Sequence, residues 1–413
     1  MHSWTRVSAR LSFLLMTACS QPASEAGPQA NATLADVDFM CATVPVQHAY
    51  HAEKADVWDA ACTQARADAA ALTNEGTDMV LLGRLMDALH DNHIHYGRHA
   101  DGAFRLAPHG ADYGFEGDVV TAVRADTQAS RAGLRVGDRI THIDGAPLEI
   151  AARARLYPPG YNHSDAQKTW ARQSTASGVH GRDRSVTVAR DGEATTFTMT
   201  GDVYPGEASR ALPDVSARRI TDVIGLIRFN DSLYKSDTAV AAFDEALASL
   251  PDARALILDL RDTPSGGNTD VAEPIMGRFI TQPLPYQRFL PVDAEPWTDE
   301  VEPRGETFTG PVAVMVGKWT GSMGEGMAIG LDGMGRATVI GGEMSRLGGA
   351  MHDFTLPSGV PVKLVQADLL HLDGTRRHEW LPPVRAVADN GDGPDLALAK
   401  AVDVLGAALQ TAR

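Results

Sequence analysis

Three short strings in this chain gather residue types that do acyl chemistry. The first is Trp319-Thr320-Gly321-Ser322-Met323-Gly324-Glu325-Gly326. A hydroxyl at the start of a helix gains from the helix dipole when negative charge develops beside it, and the following N–H, on Met323, can donate to an oxyanion. The same spacing, Ser322 with Glu325 three residues on, is also a capping box, which needs no chemistry at all. The second string is Asp259-Leu260-Arg261-Asp262-Thr263-Pro264-Ser265-Gly266-Gly267-Asn268, at the end of the apolar run ALILDL. Two glycines at a strand end let the N–H of Gly266 or Gly267 point into a site, as an oxyanion hole requires. The third is Leu89-His90-Asp91-Asn92-His93. A nucleophilic serine needs a base, and imidazole titrates near neutral pH. His90, His93, His95 and His99 also cluster as zinc ligands would, but no acidic or Cys partner has matching spacing. No metal and no cofactor is expected.

These strings need elements to hold them. Met79, Leu82, Met86 and Leu89 recur at three and four, which predicts an amphipathic helix just before the histidines. Residues 36–62 show no clean period, and a helical first domain is expected to end near residue 100. From 112 to about 200 the pattern changes to short β-type runs, DVVTAV, RITHID and SVTVAR, punctuated by Asp-Gly at 144 and 191. Residues 151–180, polar and broken by Pro and Gly, read as a long loop or insertion. After 216 come buried-strand runs at 223–229, 255–260, 312–317 and 337–342, with helical segments at 239–250, 268–280 and 324–334 between them. Strands alternating with helices imply a mostly parallel sheet, whose catalytic groups sit at the carboxyl ends of the strands. Residues 281–310 are Pro-rich, acidic and patternless, and read as a candidate lid. A closing helix is expected over 396–408.

Composition bounds the rest. The chain has 413 residues, is 44% hydrophobic, and carries a net charge of −16, which would repel a phosphate backbone. Nucleic acid is excluded as a partner. Arg6 and Arg10, the short apolar run LSFLLMTA and small residues before Cys19 make a secretory signal, too short to span a bilayer. Met16-Thr17-Ala18-Cys19 resembles a bacterial lipobox, which implies acylation of Cys19 and a membrane anchor followed by the tether SQPASEAGPQANAT. With Cys19 lipidated, Cys41 and Cys62 remain, and in an oxidising compartment they are expected to pair.

Two resemblances follow from the strings. Ala132-Gly133-Leu134-Arg135-Val136-Gly137-Asp138-Arg139-Ile140 with Ile143-Asp144-Gly145 resembles a PDZ domain, and Tyr113-Gly114-Phe115 lies where that family binds a terminal carboxylate. The string at 259–267 is similar to the DLRxNPGG signature of the C-terminal processing and tricorn-like serine peptidases, and that family's nucleophile falls on Ser322 in its TxSxxE string. One branch uses a Lys about two dozen residues further on. This chain has Gly342-Glu343-Met344-Ser345-Arg346-Leu347-Gly348-Gly349 there, without lysine, and Arg346 is too strongly protonated to act as a base. The tricorn-like branch takes a His from an LxDxH motif, which falls on His93, with Asn92 and Glu325 as supporting residues. The orienting carboxylate of that branch falls on Glu379, ahead of Pro382-Pro383-Val384.

The resemblance implies a multi-domain α/β fold with a helical N-terminal cap, a PDZ-like β module and a ClpP/crotonase-like core. The layout is a signal peptide over 1–18, a lipidated tether over 19–35, the cap over 36–108, the PDZ-like module over 109–203 and the core over 204–413. It also implies a serine endopeptidase or carboxyl-terminal processing peptidase. Ser322, His93 and Glu379 would be catalytic, with Gly266, Gly267 and Met323 around the oxyanion. Expected partners are unfolded or extended polypeptides, docked by a C-terminus on the PDZ module, and the periplasmic side of a bacterial outer membrane. The alternative is a non-catalytic lipoprotein of the same fold that binds peptides or an apolar ligand.

Overall fold

The computed structural model describes residues 32–73, 76–201, 203–386 and 395–411. The expected signal peptide and Cys19 lie outside the described residues. Among the described residues no helix is long and apolar enough to cross a membrane. The expected tether over 19–35 is cut short, because the helix Ala32–Gln47 starts within it.

The helix Ala32–Gln47 packs on Ala55–Ala70, and Cys41 is bonded to Cys62 across the pair. Both helices fall in the stretch without visible periodicity. The first helix buries Thr33 and Asp36 beside Val37, Met40 and Val44, and the second buries Val57, Trp58, Ala61, Cys62, Ala65 and Ala69, half of them alanine, so neither face reads as a clean apolar stripe. The predicted amphipathic helix is present as Met79–Asp87, with Leu82 and Leu85 fully buried. Asp78 caps it by accepting from the N–H groups of Val80 and Leu81 at 2.9 and 3.0 Å. The chain then turns through His90 in the left-handed region and enters the short strand His95–Tyr96.

The β-rich module has the strand order Tyr113–Glu116, Val119–Val123, Arg139–Ile143, Arg184–Arg190, Glu193–Met199. The Asp-Gly pairs at 144 and 191 have positive φ at both residues, the conformation of tight hairpin turns. The expected loop at 151–180 is instead largely helical. Leu148–Arg155 and Asp165–Ser174 pack on each other, and Ser164 and Gln167 form a capping box at the second.

In the core, Val384–Arg385, Ala337–Gly341, Val312–Val316, Ala255–Asp259 and Ile224–Phe229 run parallel in that order, with Val215–Arg219 antiparallel at the edge. The four inner strands are the predicted apolar runs, and every residue of Val312–Val316 and Ala255–Asp259 is buried. The 281–310 segment is not a lid. It forms the hairpin Leu284–Pro291 and Trp297–Val301, which pairs with the long strand Pro361–Leu370. Tyr286 and Val301, both fully buried, fix it to the core. His95–Tyr96 of the cap adds to that same long strand, His95 opposite Lys363. Cap and core thus share a sheet, which is what brings the histidine segment to the serine.

Candidate active site

Ser322 sits where the fully buried strand Val312–Val316 gives way, through the bridge Trp319–Thr320, to the helix Met323–Gly333. Its φ of 50° and ψ of −111° are strained for a residue with a side chain. Three contacts hold the turn. The Ser322 N–H donates to Glu325 Oε2 at 2.8 Å, the Gly326 N–H donates to the Ser322 carbonyl at 3.0 Å, and Gly321 N–H donates to Thr263 at 3.3 Å. The capping-box carboxylate is therefore in use as expected, and the hydroxyl is directed elsewhere: Ser322 Oγ lies 3.0 Å from His93 Nε2.

His93 arrives from the cap. Asp91 accepts the His93 N–H at 2.8 Å, which fixes the backbone, and the following strand pairing fixes its direction. The imidazole is buried, 8% exposed, and its Nδ1 is 2.5 Å from the carbonyl oxygen of Gly348. A carbonyl only accepts, so Nδ1 carries the proton and Nε2 presents its lone pair to the serine. Burial, reinforced by the nearby Arg377 charge, lowers the His93 pKa to about 4, although Asp91 and the Gly348 carbonyl oppose the shift. The ring is neutral at neutral pH and ready to accept a proton. Burial alone would raise the Asp91 pKa; His48, whose Nε2 is 3.5 Å away, and Lys54 outweigh it and keep the carboxyl below the usual range.

Glu325 is fully buried and accepts three N–H groups: Ser322 at 2.8 Å, Arg346 at 2.8 Å and Leu347 at 3.2 Å. Burial raises its pKa to about 7, against the pull of Arg377 and those amides. It joins the serine turn to the 346–349 strap that carries the Gly348 carbonyl.

The two glycines separate in role. Gly266, at φ 62°, lies so close to the serine that an added Cβ would be 2.5 Å from Ser322 Cβ and 3.0 Å from Oγ. Its own N–H is spent on the Thr263 carbonyl at 3.1 Å, so Gly266 shapes the site but does not donate into it. The Gly267 N–H and the first-turn N–H of Met323 have no carbonyl partner among the described residues. Ser265, which stands between Pro264 and the Gly pair where the DLRxNPGG signature has no residue, is anchored by Asp231, which accepts from its N–H at 2.9 Å and its hydroxyl at 2.8 Å.

Other expectations are corrected. Glu379 is exposed and its ionic neighbour is His378 at 3.9 Å, so it orients nothing at His93. The residue turned inward at this place is Arg377, 3% exposed. Asn92 lines the cleft but accepts from Trp170 Nε1 at 2.9 Å. Tyr113 and Phe115 are buried in the PDZ-like core, and an added Cβ on Gly114 would meet the Lys318 side chain at 3.2 Å. Trp319 Nε1 donates to the carbonyls of Pro108 and Ala111, both at 3.1 Å, so this segment is docked on the serine strand. Of the histidines, His95 bonds the His93 carbonyl and His99 stacks on His180. Among the described residues no three His, Cys, Asp or Glu side chains are placed to hold a metal.

A cleft of about 610 Å³ opens over Ser322 and His93, walled by the cap at Leu106, the PDZ-like module at His180, and the core at Tyr204 and Pro264. It lies where the three parts meet, a common place for a binding site.

The model of peptidase family S41 matches residues 223–383 and a PDZ domain model matches residues 119–153. Both resemblances drawn from the motifs are thus matched, that to the S41 peptidases over most of the core and that to the PDZ domain within the β-rich module. Mature CPAF is similar in fold, with a TM-score of 0.58 at 12% identity over 91% of this chain and 95% of that one. The photosystem II D1 C-terminal processing protease gives 0.55 at 15% identity, covering 91% and 98%. A putative peptidase from Parabacteroides merdae gives 0.53 at 14%, covering 91% and 97%. No curated protein is significantly similar in sequence.

Proposed function

We propose that this chain hydrolyses unfolded or extended polypeptides through an acyl-enzyme on Ser322, with His93 as general base. The observation that supports this most directly is the 3.0 Å approach of His93 Nε2 to Ser322 Oγ, between residues 229 positions apart. In the first step Oγ attacks the scissile carbonyl carbon as its proton passes to Nε2; the N–H groups of Gly267 and Met323 receive the oxyanion. The imidazolium then gives that proton to the leaving amine, and water, deprotonated by the same nitrogen, releases the acid. Glu325 keeps Ser322 in its strained turn throughout. We also assign Cys19 as a lipid-bearing residue that holds the chain to the periplasmic face of the outer membrane; the Cys19→Ala chain would then leave the membrane fraction.

The test compares wild type, Ser322→Ala and His93→Ala on denatured casein. A loss of three to four orders of magnitude in kcat is expected for either variant. Wild-type turnover by Ser322→Ala ends the proposal.

A further inference from the structure

In the stretch where the dyad branch of the family carries its lysine, this chain has a strap, Arg346-Leu347-Gly348-Gly349, tied down from two sides. On its N–H side Glu325 accepts from Arg346 and Leu347. On its carbonyl side Arg377 Nη2 donates to Leu347 at 2.8 Å and to Gly349 at 2.7 Å, with Nε adding a contact to Leu347 at 3.2 Å. Between those two gripped carbonyls is the Gly348 carbonyl, which takes the proton of His93 Nδ1. The strap has no room to slide. A Cβ on Gly348 would fall 2.7 Å from the Tyr50 ring, and one on Gly349 would fall 2.0 Å from the Ala367 carbonyl oxygen.

We propose that Arg377 is the positioning residue of the catalytic base: by holding the carbonyls on either side of Gly348 it aims the Gly348 carbonyl at His93 Nδ1, so a backbone carbonyl does the orienting that a carboxylate does in an ordinary triad. This rests on His93 being the base. A buried guanidinium suits the task because its planar fork reaches two carbonyls at once, which an ammonium cannot do in the same way. Its charge is balanced across the strap by Glu325, on which it acts electrostatically. The charged and titratable groups facing His93 are Asp91 and His95 from its own segment and Arg377 from the segment beyond the long strand; Asp91 favours the imidazolium, while Arg377 and His95 oppose it. Arg377 thus does two separable things, one by geometry and one by charge.

Two variants separate them. Arg377→Gln removes grip and charge, so kcat is expected to fall about 10- to 100-fold with KM unchanged, and the acid limb of the pH profile to move up by about one unit or more. Arg377→Lys keeps charge but loses the fork, so kcat falls similarly and the limb stays put. Glu379→Gln, on the exposed neighbour, matches wild type. A second readout needs no activity: ¹⁵N-histidine NMR of the Ser322→Ala chain gives the His93 tautomer, expected to be Nδ1-protonated with Arg377 and mixed with Gln. If both Arg377 variants keep wild-type kcat, pH limb and tautomer and lose only thermal stability, the proposal is overturned. If instead Ser322→Ala or His93→Ala retains turnover, the peptidase reading fails, and the tautomer measurement still decides what Arg377 does.

Discussion

Gly266→Ala is the sharpest probe of the site, because the methyl it adds has one place to go. At φ 62° an alanine costs about 1–2 kcal/mol of backbone strain. The new Cβ would lie 2.5 Å from Ser322 Cβ and 3.3 Å from the Gly321 carbonyl oxygen, where carbon atoms rest at about 3.5–4.0 Å. Something must move by about 1 Å. The Ser322 backbone resists, since its N–H is held by Glu325 and its carbonyl by Gly326. The displacement therefore falls on the Ser322 side chain or on the Gly266–Gly267 turn, and either one spoils the alignment of hydroxyl, imidazole and oxyanion donors. A 1 Å error at reacting groups costs about 10²-fold, or about 2.7 kcal/mol in the barrier. Initial rates on a denatured protein should fall at least that far, and the rate of labelling by a fluorophosphonate should fall with them because both use Oγ. Circular dichroism and a thermal melt establish that the variant is folded. A folded Gly266→Ala chain with kcat/KM within about threefold of wild type would refute the close packing on which this site is built.

Two further outcomes are expected. Because His93 is held neutral by burial, its own limb of kcat/KM should have an apparent pKa near 4, separate from any step near 7 that comes from Glu325; a ¹⁵N-histidine NMR titration that placed His93 itself near the ordinary 6.5 would show that the ring is solvated in the working enzyme. Cys41 and Cys62 close a loop with a sequence separation of 21, so their reduction should destabilise the cap by about 3 kcal/mol, read as a lower urea midpoint. Unchanged unfolding of the reduced chain would show that helix packing alone holds the cap.

The legible part of the site is the part written in side-chain types next to regular elements. Ser322, Glu325, Gly266 and Gly267 each follow a strand whose run of apolar residues is visible, and His93 follows a helix whose leucines and methionines repeat at three and four. The first cap helix was hidden because its buried face mixes Thr33 and Asp36 with Val37, Met40 and Val44, the second because half of its buried residues are alanine, and the 284–301 hairpin because its hydrophobic positions are few and interrupted by Pro and charged residues. The orienting group fell on Glu379 by alignment of a motif, but the long strand Pro361–Leu370 and the turn after it deliver Arg377 inward and Glu379 outward.

By itself, then, the sequence determined which reactive groups exist and the order of strands and helices that carry them. What only the tertiary structure decided is where backbone amides and carbonyls point. The Gly348 carbonyl that completes the site is an atom every residue possesses, so its residue type announces nothing. Its direction comes from Glu325 on one helix, Arg377 beyond a distant strand and the Tyr50 ring of the cap, three contacts that exist only once the chain has closed on itself.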